Sequence, residues 1–136
     1  MKKIITSKKL SDAIGTYSTA IVKDKLLFTS GQIAIDADNS QLINGGMKEQ
    51  ALKVLDNIYI ILKEIGLEKR SILKLNVFVT DLKKFDDVND AFSLFFKDNE
   101  YPARTTIEVS ALPLGALIEI DCIATLYKLK SLITNN

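Results

Sequence analysis

Histidine is absent from all 136 residues of this chain. Its absence excludes Ser-His and Cys-His nucleophilic catalysis and removes the commonest zinc ligand. A metal held by carboxylates alone would need clustered Asp and Glu, and no ligand spacing of that kind stands out. Only one cysteine, Cys122, is present. No disulfide can therefore close within the chain, and nothing points to an oxidising compartment. A bulk excess of positive charge is also missing, since the formal net charge is +1. That weakens a nucleic-acid reading, although a local patch would not be visible in the total. No apolar run approaches the roughly 20 residues of a membrane span. The opening Met1-Lys2-Lys3-Ile4-Ile5-Thr6 turns polar too soon for a signal peptide, so the cytoplasm is the expected location.

What is there suits a folded protein. Hydrophobic residues make up 47% and charged residues 26%, which is ordinary globular composition. The length fits one domain.

The strongest periodic signal runs over 47–65. Met47, Ala51, Val54, Ile58, Ile61 and Ile65 step by alternating fours and threes, which is one face of an amphipathic helix, and Gly66 is placed to stop it. A second helix is expected over 84–97, with Val88, Ala91, Phe92 and Phe95 on its buried side. Strands are expected over 17–22 and 26–35, with Lys23-Asp24-Lys25 as the turn between them. Ser30-Gly31-Gln32 interrupts the second of these strands and suggests a bulge or a close backbone approach. Residues 36–46 read as a polar loop. A strand over 72–79 puts Leu73, Leu75, Val77 and Val79 on the core face, and Ile72, Lys74, Asn76 and Phe78 on the other. Two final strands, 103–110 and 117–127, are expected to pair through a turn at Leu112-Pro113-Leu114-Gly115. From Lys130 the tail is expected to be loose. The element order gives an α+β sandwich: two helices on one face of a sheet whose other face needs cover.

Side chains alternate along strands. If the last two strands pair directly, Arg104, Thr106, Glu108, Glu119 and Asp121 share the helix-free face. This collection has two meanings. It is a polar pocket in which Arg104 grips a carboxylate and an acid positions water, or it is the solvated or ion-paired outer face common in antiparallel sheets. On pattern alone the second meaning is the commoner. Tyr17 on an early strand is more often core or interface than site. Ser30-Gly31 could cradle an anion or simply form a bulge. Asn89 is either a surface residue or a tie from the second helix to a neighbour. Cys122 faces the helices and reads as an inert buried thiol. The Lys8-Lys9 and Lys83-Lys84 pairs read as solvated charge.

Several segments carry a resemblance together. They are Ile14-Gly15-Thr16-Tyr17-Ser18, Leu27-Phe28-Thr29-Ser30-Gly31-Gln32-Ile33, Leu55-Asp56-Asn57-Ile58 within Gln50 to Gly66, and Val77-Phe78-Val79-Thr80-Asp81-Leu82. The late block is Tyr101-Pro102-Ala103-Arg104-Thr105-Thr106-Ile107-Glu108-Val109, followed by Leu112-Pro113 and Ile118-Glu119-Ile120-Asp121. From about Ser11 to Leu126 the chain resembles the Rid family, the reactive-intermediate deaminases, also called YjgF-type. The resemblance implies one Rid-type domain over 1–130, with a loose tail over 131–136. It implies a chorismate-mutase-like fold, assembled as a homotrimer around a central β-barrel, with sites in the clefts between subunits. It further implies a cofactor-independent hydrolase acting on non-peptide C–N bonds. Such an enzyme converts 2-iminobutanoate, 2-iminopropanoate and their enamine tautomers, released by pyridoxal-phosphate dehydratases, to 2-oxo acids and ammonia.

By position, Arg104 resembles the family arginine that pairs with the substrate carboxylate, and Glu119 the acid that positions the attacking water. Tyr17, Ser30, Gly31 and Asn89 match positions that line or support the site. Thr106 stands where many members have cysteine, Thr16 where proline is common, and Leu114-Gly115 where a more polar pair is usual. Two competing roles follow from the same cleft: a non-catalytic sensor of small metabolites, which the Thr106 departure motivates, and an endoribonuclease. The near-neutral charge and the lack of histidine or an aromatic stacking platform argue against the nuclease.

Overall fold

A computed structural model of the chain describes residues 1–97 and 100–127. The expected loose tail from Lys130 onward falls outside the described residues. Three short strands open the fold: β1 (Lys3–Ile5), β2 (Ala20–Lys23) and β3 (Leu26–Thr29). A two-stranded hairpin follows, β4 (Ile35–Asp36) and β5 (Gln41–Leu42). Helix α1 (Met47–Glu64) leads to β6 (Ile72–Val79), helix α2 (Phe85–Phe95), β7 (Ala103–Glu108) and β8 (Ile118–Thr125). Among the described residues, no helix is long and apolar enough to cross a membrane.

The six-stranded sheet has the order β1-β2-β3-β8-β6-β7. All its pairings are antiparallel except β6 with β7, which is parallel. Both helices pack on one face of this mixed sheet, and two helices on one sheet face is the α+β arrangement expected from the element order. Val54, Leu55 and Ile58 of α1, Val88 and Ala91 of α2, and Leu75, Val77, Ile118 and Ile120 of the sheet are all fully buried between the layers. Local features fix both ends of α1, and Gly66 closes it as expected. Glu49 Oε2 accepts from the Gly46 N–H at 3.0 Å at the start of the helix. At its end, the Gly66 N–H donates to the Lys63 carbonyl and the Leu67 N–H to the Leu62 carbonyl. Gly66 has φ +72°, the left-handed conformation this cap requires.

Several expectations are corrected. β1 was not anticipated, because a three-residue strand carries too little alternation to register. The first expected strand begins later, at Ala20, so Tyr17 sits in coil ahead of it. The strand expected over 26–35 ends at Thr29, and its continuation folds into the β4–β5 hairpin within the expected loop. The second helix is bounded by Phe85 and Phe95, after a 3-10 turn at Leu82–Lys84.

A register shift between Ile72 and Lys74 leaves Leu73 exposed and Ile72 buried, reversing their expected faces. The exposed face is not purely polar. Ile4, Ile21, Phe28 and Ile123 stand opposite one another across β1, β2, β3 and β8, and Ile4 and Phe28 are exposed.

The largest correction concerns the last two strands. β7 and β8 do not pair with each other; β6 lies between them. The nine residues 109–117 are longer than a tight hairpin needs, and they cross the end of β6. The strand-helix-strand order from β6 through α2 to β7 is a parallel crossover unit, which puts α2 over the face of its two strands.

Burial of α1 should dominate stability. Ile58→Ala is expected to lower the unfolding free energy by about 2–5 kcal/mol, read as a shifted urea midpoint with an unchanged slope.

Candidate functional site

The register decides where each candidate points, because residues opposite one another in a sheet share a face. Arg104 stands opposite Leu75, Thr106 opposite Val77 and Glu108 opposite Val79. Leu75, Val77 and Val79 are fully or almost fully buried under the helices. Arg104, Thr106 and Glu108 are therefore on the helix side of the sheet, not on the helix-free face. Glu119 stands opposite Phe78 and Asp121 opposite Asn76, on the helix-free face as expected. The expected cluster is thus divided between two faces of one sheet.

The helix-side group is built by α2 and the edge strand β7. Phe85, Asn89 and Phe92 recur at helical spacing on the α2 surface that meets Arg104. The Arg104 Nη2 donates to Asn89 Oδ1 at 2.8 Å. The guanidinium carbon lies 4.7 Å from the Phe92 ring centre and 5.1 Å from that of Phe85. Asn89 is thus the tie to a neighbour that the sequence left as one of two options. Among the described residues Arg104 has no carboxylate partner. Burial draws its pKa down from the ordinary arginine value, but a guanidinium keeps its charge at any physiological pH. A cleft of ≈ 360 Å³ opens here, lined by Asn89, Phe92, Ser93, Tyr101, Pro102 and Arg104. Thr106 lies one side-chain step further along the same face, and its buried Oγ1 has no hydrogen-bond partner among the described residues. A half-buried cation that lies against two rings and has no carboxylate partner among the described residues is suited to grip a carboxylate.

The second group is built by β8 and the bulge after β3. Between the Phe28–Ile123 pair and the Gln32–Ile120 bridge, the β3 side has one residue more than β8. The bulge foreseen at Ser30-Gly31 is therefore present. Ser30 fixes it: its N–H donates to the Thr19 carbonyl at 2.9 Å and its Oγ to the Ser18 carbonyl at 2.6 Å. Gly31 lets the chain pass the Glu119 side chain. A Cβ at residue 31 would sit 2.7 Å from Glu119 Cδ and 2.9 Å from Oε1. Tyr17 is half exposed and lines a small pocket with Gly31. The Glu119 pKa is raised, first by burial and then by the nearby Asp121 charge. Asp121 itself accepts a hydrogen bond from Asn76 Nδ2 at 2.7 Å. Cys122 is buried on the helix side, and its thiol pKa is pushed up to about 12 by burial and by Asp121, so it is no nucleophile.

Comparison with known proteins assigns the fold to a family. Residues 7–126 match the model of the family described as endoribonuclease L-PSP. The crystal structure of YyfA, a Rid-family protein of Yersinia pestis, superimposes with a TM-score of 0.88 at 42% identity, covering 92% of this chain and 99% of that one. The chain belongs to the Rid family. A human relative named 2-iminobutanoate/2-iminopropanoate deaminase is 38% identical over 124 residues, which is 91% of this chain and 90% of its own length. The Escherichia coli protein TdcF, solved with bound serine, superimposes with a TM-score of 0.85 at 34% identity, covering 90% of this chain and 98% of that one.

Some of what this Rid chain presents was missed in the sequence. The rings of Phe85 and Phe92 against Arg104 and the cleft wall from Ser93 and Tyr101 belong to this category. The i, i+4, i+7 spacing of Phe85, Asn89 and Phe92 was the available signal. Without the parallel pairing of β6 and β7, nothing connected that stripe to Arg104.

Two outcomes follow from the Glu119 environment. A carboxyl whose pKa is raised on folding binds its proton more tightly in the folded state. Stability is then undiminished below the ordinary value of 4.5 and falls as pH rises through the window between that value and the raised one. Glu119→Gln should therefore melt above the parent at neutral pH, with the difference vanishing in melts run below pH 4.5. Gly31→Ala should leave β3–β8 pairing intact and displace the Glu119 carboxylate, which a crystal structure of the variant would show.

Proposed function

We propose that this protein hydrolyses small 2-imino acids, such as 2-iminobutanoate and 2-iminopropanoate, and their enamine tautomers to 2-oxo acids and ammonia. The observation that carries the reading is Arg104: a half-buried guanidinium against two aromatic rings, without a carboxylate partner among the described residues, facing a cleft. The human relative's name supplies the reaction class, and the serine bound to TdcF is a small molecule with a carboxylate.

The chemistry needs neither histidine nor a covalent nucleophile. A protonated imine is already a strong electrophile at C2. Arg104 pairs with the C1 carboxylate through two parallel hydrogen bonds and fixes C2 in place. Glu119 accepts a proton from water, the water oxygen bonds to C2, and a carbinolamine forms. Glu119 returns its proton to nitrogen and then takes the carbinolamine hydroxyl proton as the C–N bond breaks with its electron pair leaving on ammonia and the C=O bond forms. The raised Glu119 pKa suits both directions of this transfer, because a carboxylate of higher pKa is a better base near neutral pH. Thr106 Oγ1, without a hydrogen-bond partner among the described residues, is available to the substrate or the water.

Arg104 and Glu119 face opposite sides of one sheet, so in this reading they meet across a boundary between copies. Three subunits, with their helix-free faces forming a central barrel, bring the Glu119 group of one copy to the β7 edge of the next. Such an assembly also covers the apolar row of Ile4, Ile21, Phe28 and Ile123. Tyr17, Ser30 and Gly31 then stand on the Glu119 side of the shared cleft, and Asn89 and Thr106 on the Arg104 side. No cofactor enters, and the reaction belongs in the cytoplasm beside the dehydratases that release such imines.

The test is a coupled assay in which threonine dehydratase generates the imine and semicarbazide competes to trap it. The parent should speed 2-oxobutanoate release. Arg104→Ala should lose about 3 kcal/mol of transition-state binding, on the order of 100-fold in kcat/KM. Full activity in Arg104→Ala contradicts the reading. Saturable binding of 2-oxo acids without imine turnover would favour a metabolite sensor.

A further inference from the structure

Asn57 is a polar side chain that the mechanism does not use, although it is 3% exposed and lies deep in α1. Its Nδ2 donates to two backbone carbonyls, Ile35 at 3.1 Å and Ile33 at 3.4 Å. Turning the amide over would set its oxygen against both carbonyl oxygens, so its orientation is fixed by chemistry. That leaves Oδ1 buried with no partner among the described residues. A buried amide oxygen without a donor carries a desolvation cost that a bound donor removes.

A small pocket of ≈ 50 Å³ lies against Asn57. Its lining also includes Asp12, Ile14, Tyr17, Gly31 and Gln32. The pocket is thus shared by Asn57 of α1, the coil that carries Tyr17 and the glycine against which Glu119 rests. The volume is enough for an ordered water, and a polar lining is what such a water needs.

We infer that Asn57 is a positioning residue for the Glu119 side of the site, acting at both ends of its amide. The NH₂ end holds the backbone just beyond Gly31 by way of Ile33 and Ile35. The oxygen end accepts from one buried water in the adjoining pocket, and that water links α1 to the coil bearing Tyr17. The bulge at Ser30-Gly31 sets the height of the chain over Glu119, and Asn57 is its anchor to the core. This role rests on the proposed hydrolysis only for its kinetic consequence; the water and the anchoring stand apart from it.

The experiment pairs a high-resolution crystal structure of the full chain with kinetics of Asn57→Asp. In the structure, a single ordered water should lie within about 3 Å of Asn57 Oδ1. A protein donor on Oδ1 instead, or a pocket without ordered density, overturns the inference whatever the activity. Asn57→Asp keeps the shape and the outward oxygen. When protonated it can still donate to one carbonyl; when ionised it repels both. The variant should therefore approach parental kcat at acidic pH and fall about tenfold or more as the new carboxyl ionises, with KM for the imine nearly unchanged because Arg104 is untouched. Circular dichroism at both pH extremes should show the same fold. A kcat that matches the parent at every pH, or a loss carried wholly by KM, also overturns it. If the parent itself does not turn over imines, the proposed reaction fails, while the ordered-water measurement still decides the role of Asn57.

Discussion

The side-chain alternation of β6 constrains everything around it. Leu75, Val77 and Val79 are sealed under the helices, and the two neighbouring strands inherit that alternation through hydrogen-bonded register. β7 joins in parallel, and its Arg104 and Thr106 fall on the sealed side. β8 joins antiparallel, with Ile118, Ile120 and Cys122 on the sealed side and Glu119 and Asp121 on the open one. A one-residue slip of β8 would exchange buried isoleucines for carboxylates, so the hydrophobic core holds Glu119 and Asp121 on the open face. A single copy of the sheet cannot bring Arg104 and Glu119 together.

That separation gives each group its own environment. Arg104 lies against aromatic rings and an amide, which orient it without neutralising it. Glu119 lies against bare backbone at Gly31, partly out of water and near a second acid, which favours its protonated form. A substrate spanning the two would find a cation for its carboxylate and a proton acceptor for its water. Among the described residues neither group has an ion-pair partner. In the proposed reading, which rests on the Rid-family membership and the name of the human relative, small imino acids are the occupants.

Much of the fold was legible in the residues. The four-three stepping from Met47 to Ile61 marked α1, and Gly66 marked its end because only a left-handed residue closes that cap. Alternation in β8 correctly put Ile118, Ile120 and Cys122 inside and Glu119 outside. What failed was pairing. Periodicity tells which residues share a face within a strand, but not which strand lies beside it. The assumption of a hairpin through Leu112-Pro113 carried Arg104 to the wrong face. The strand-helix-strand succession of β6, α2 and β7 held the correction, since parallel strands need such a crossover. The Leu73 slip was hidden for a related reason, because a bulge shifts alternation without changing composition. The identities of Arg104, Glu119, Gly31 and Asn89 as a set came from resemblance, not from pattern.

The central claim is that Arg104 of one copy works with Glu119 of another. Subunit complementation tests it most directly. Arg104→Ala and Glu119→Gln chains, each inactive alone, are unfolded together, refolded at equal ratio and assayed for imine hydrolysis. In a ring of heterologous contacts, about one interface in four then joins an intact Arg104 to an intact Glu119, so about a quarter of parental activity should return. Mixed assemblies that form but stay as inactive as either variant alone would contradict the account.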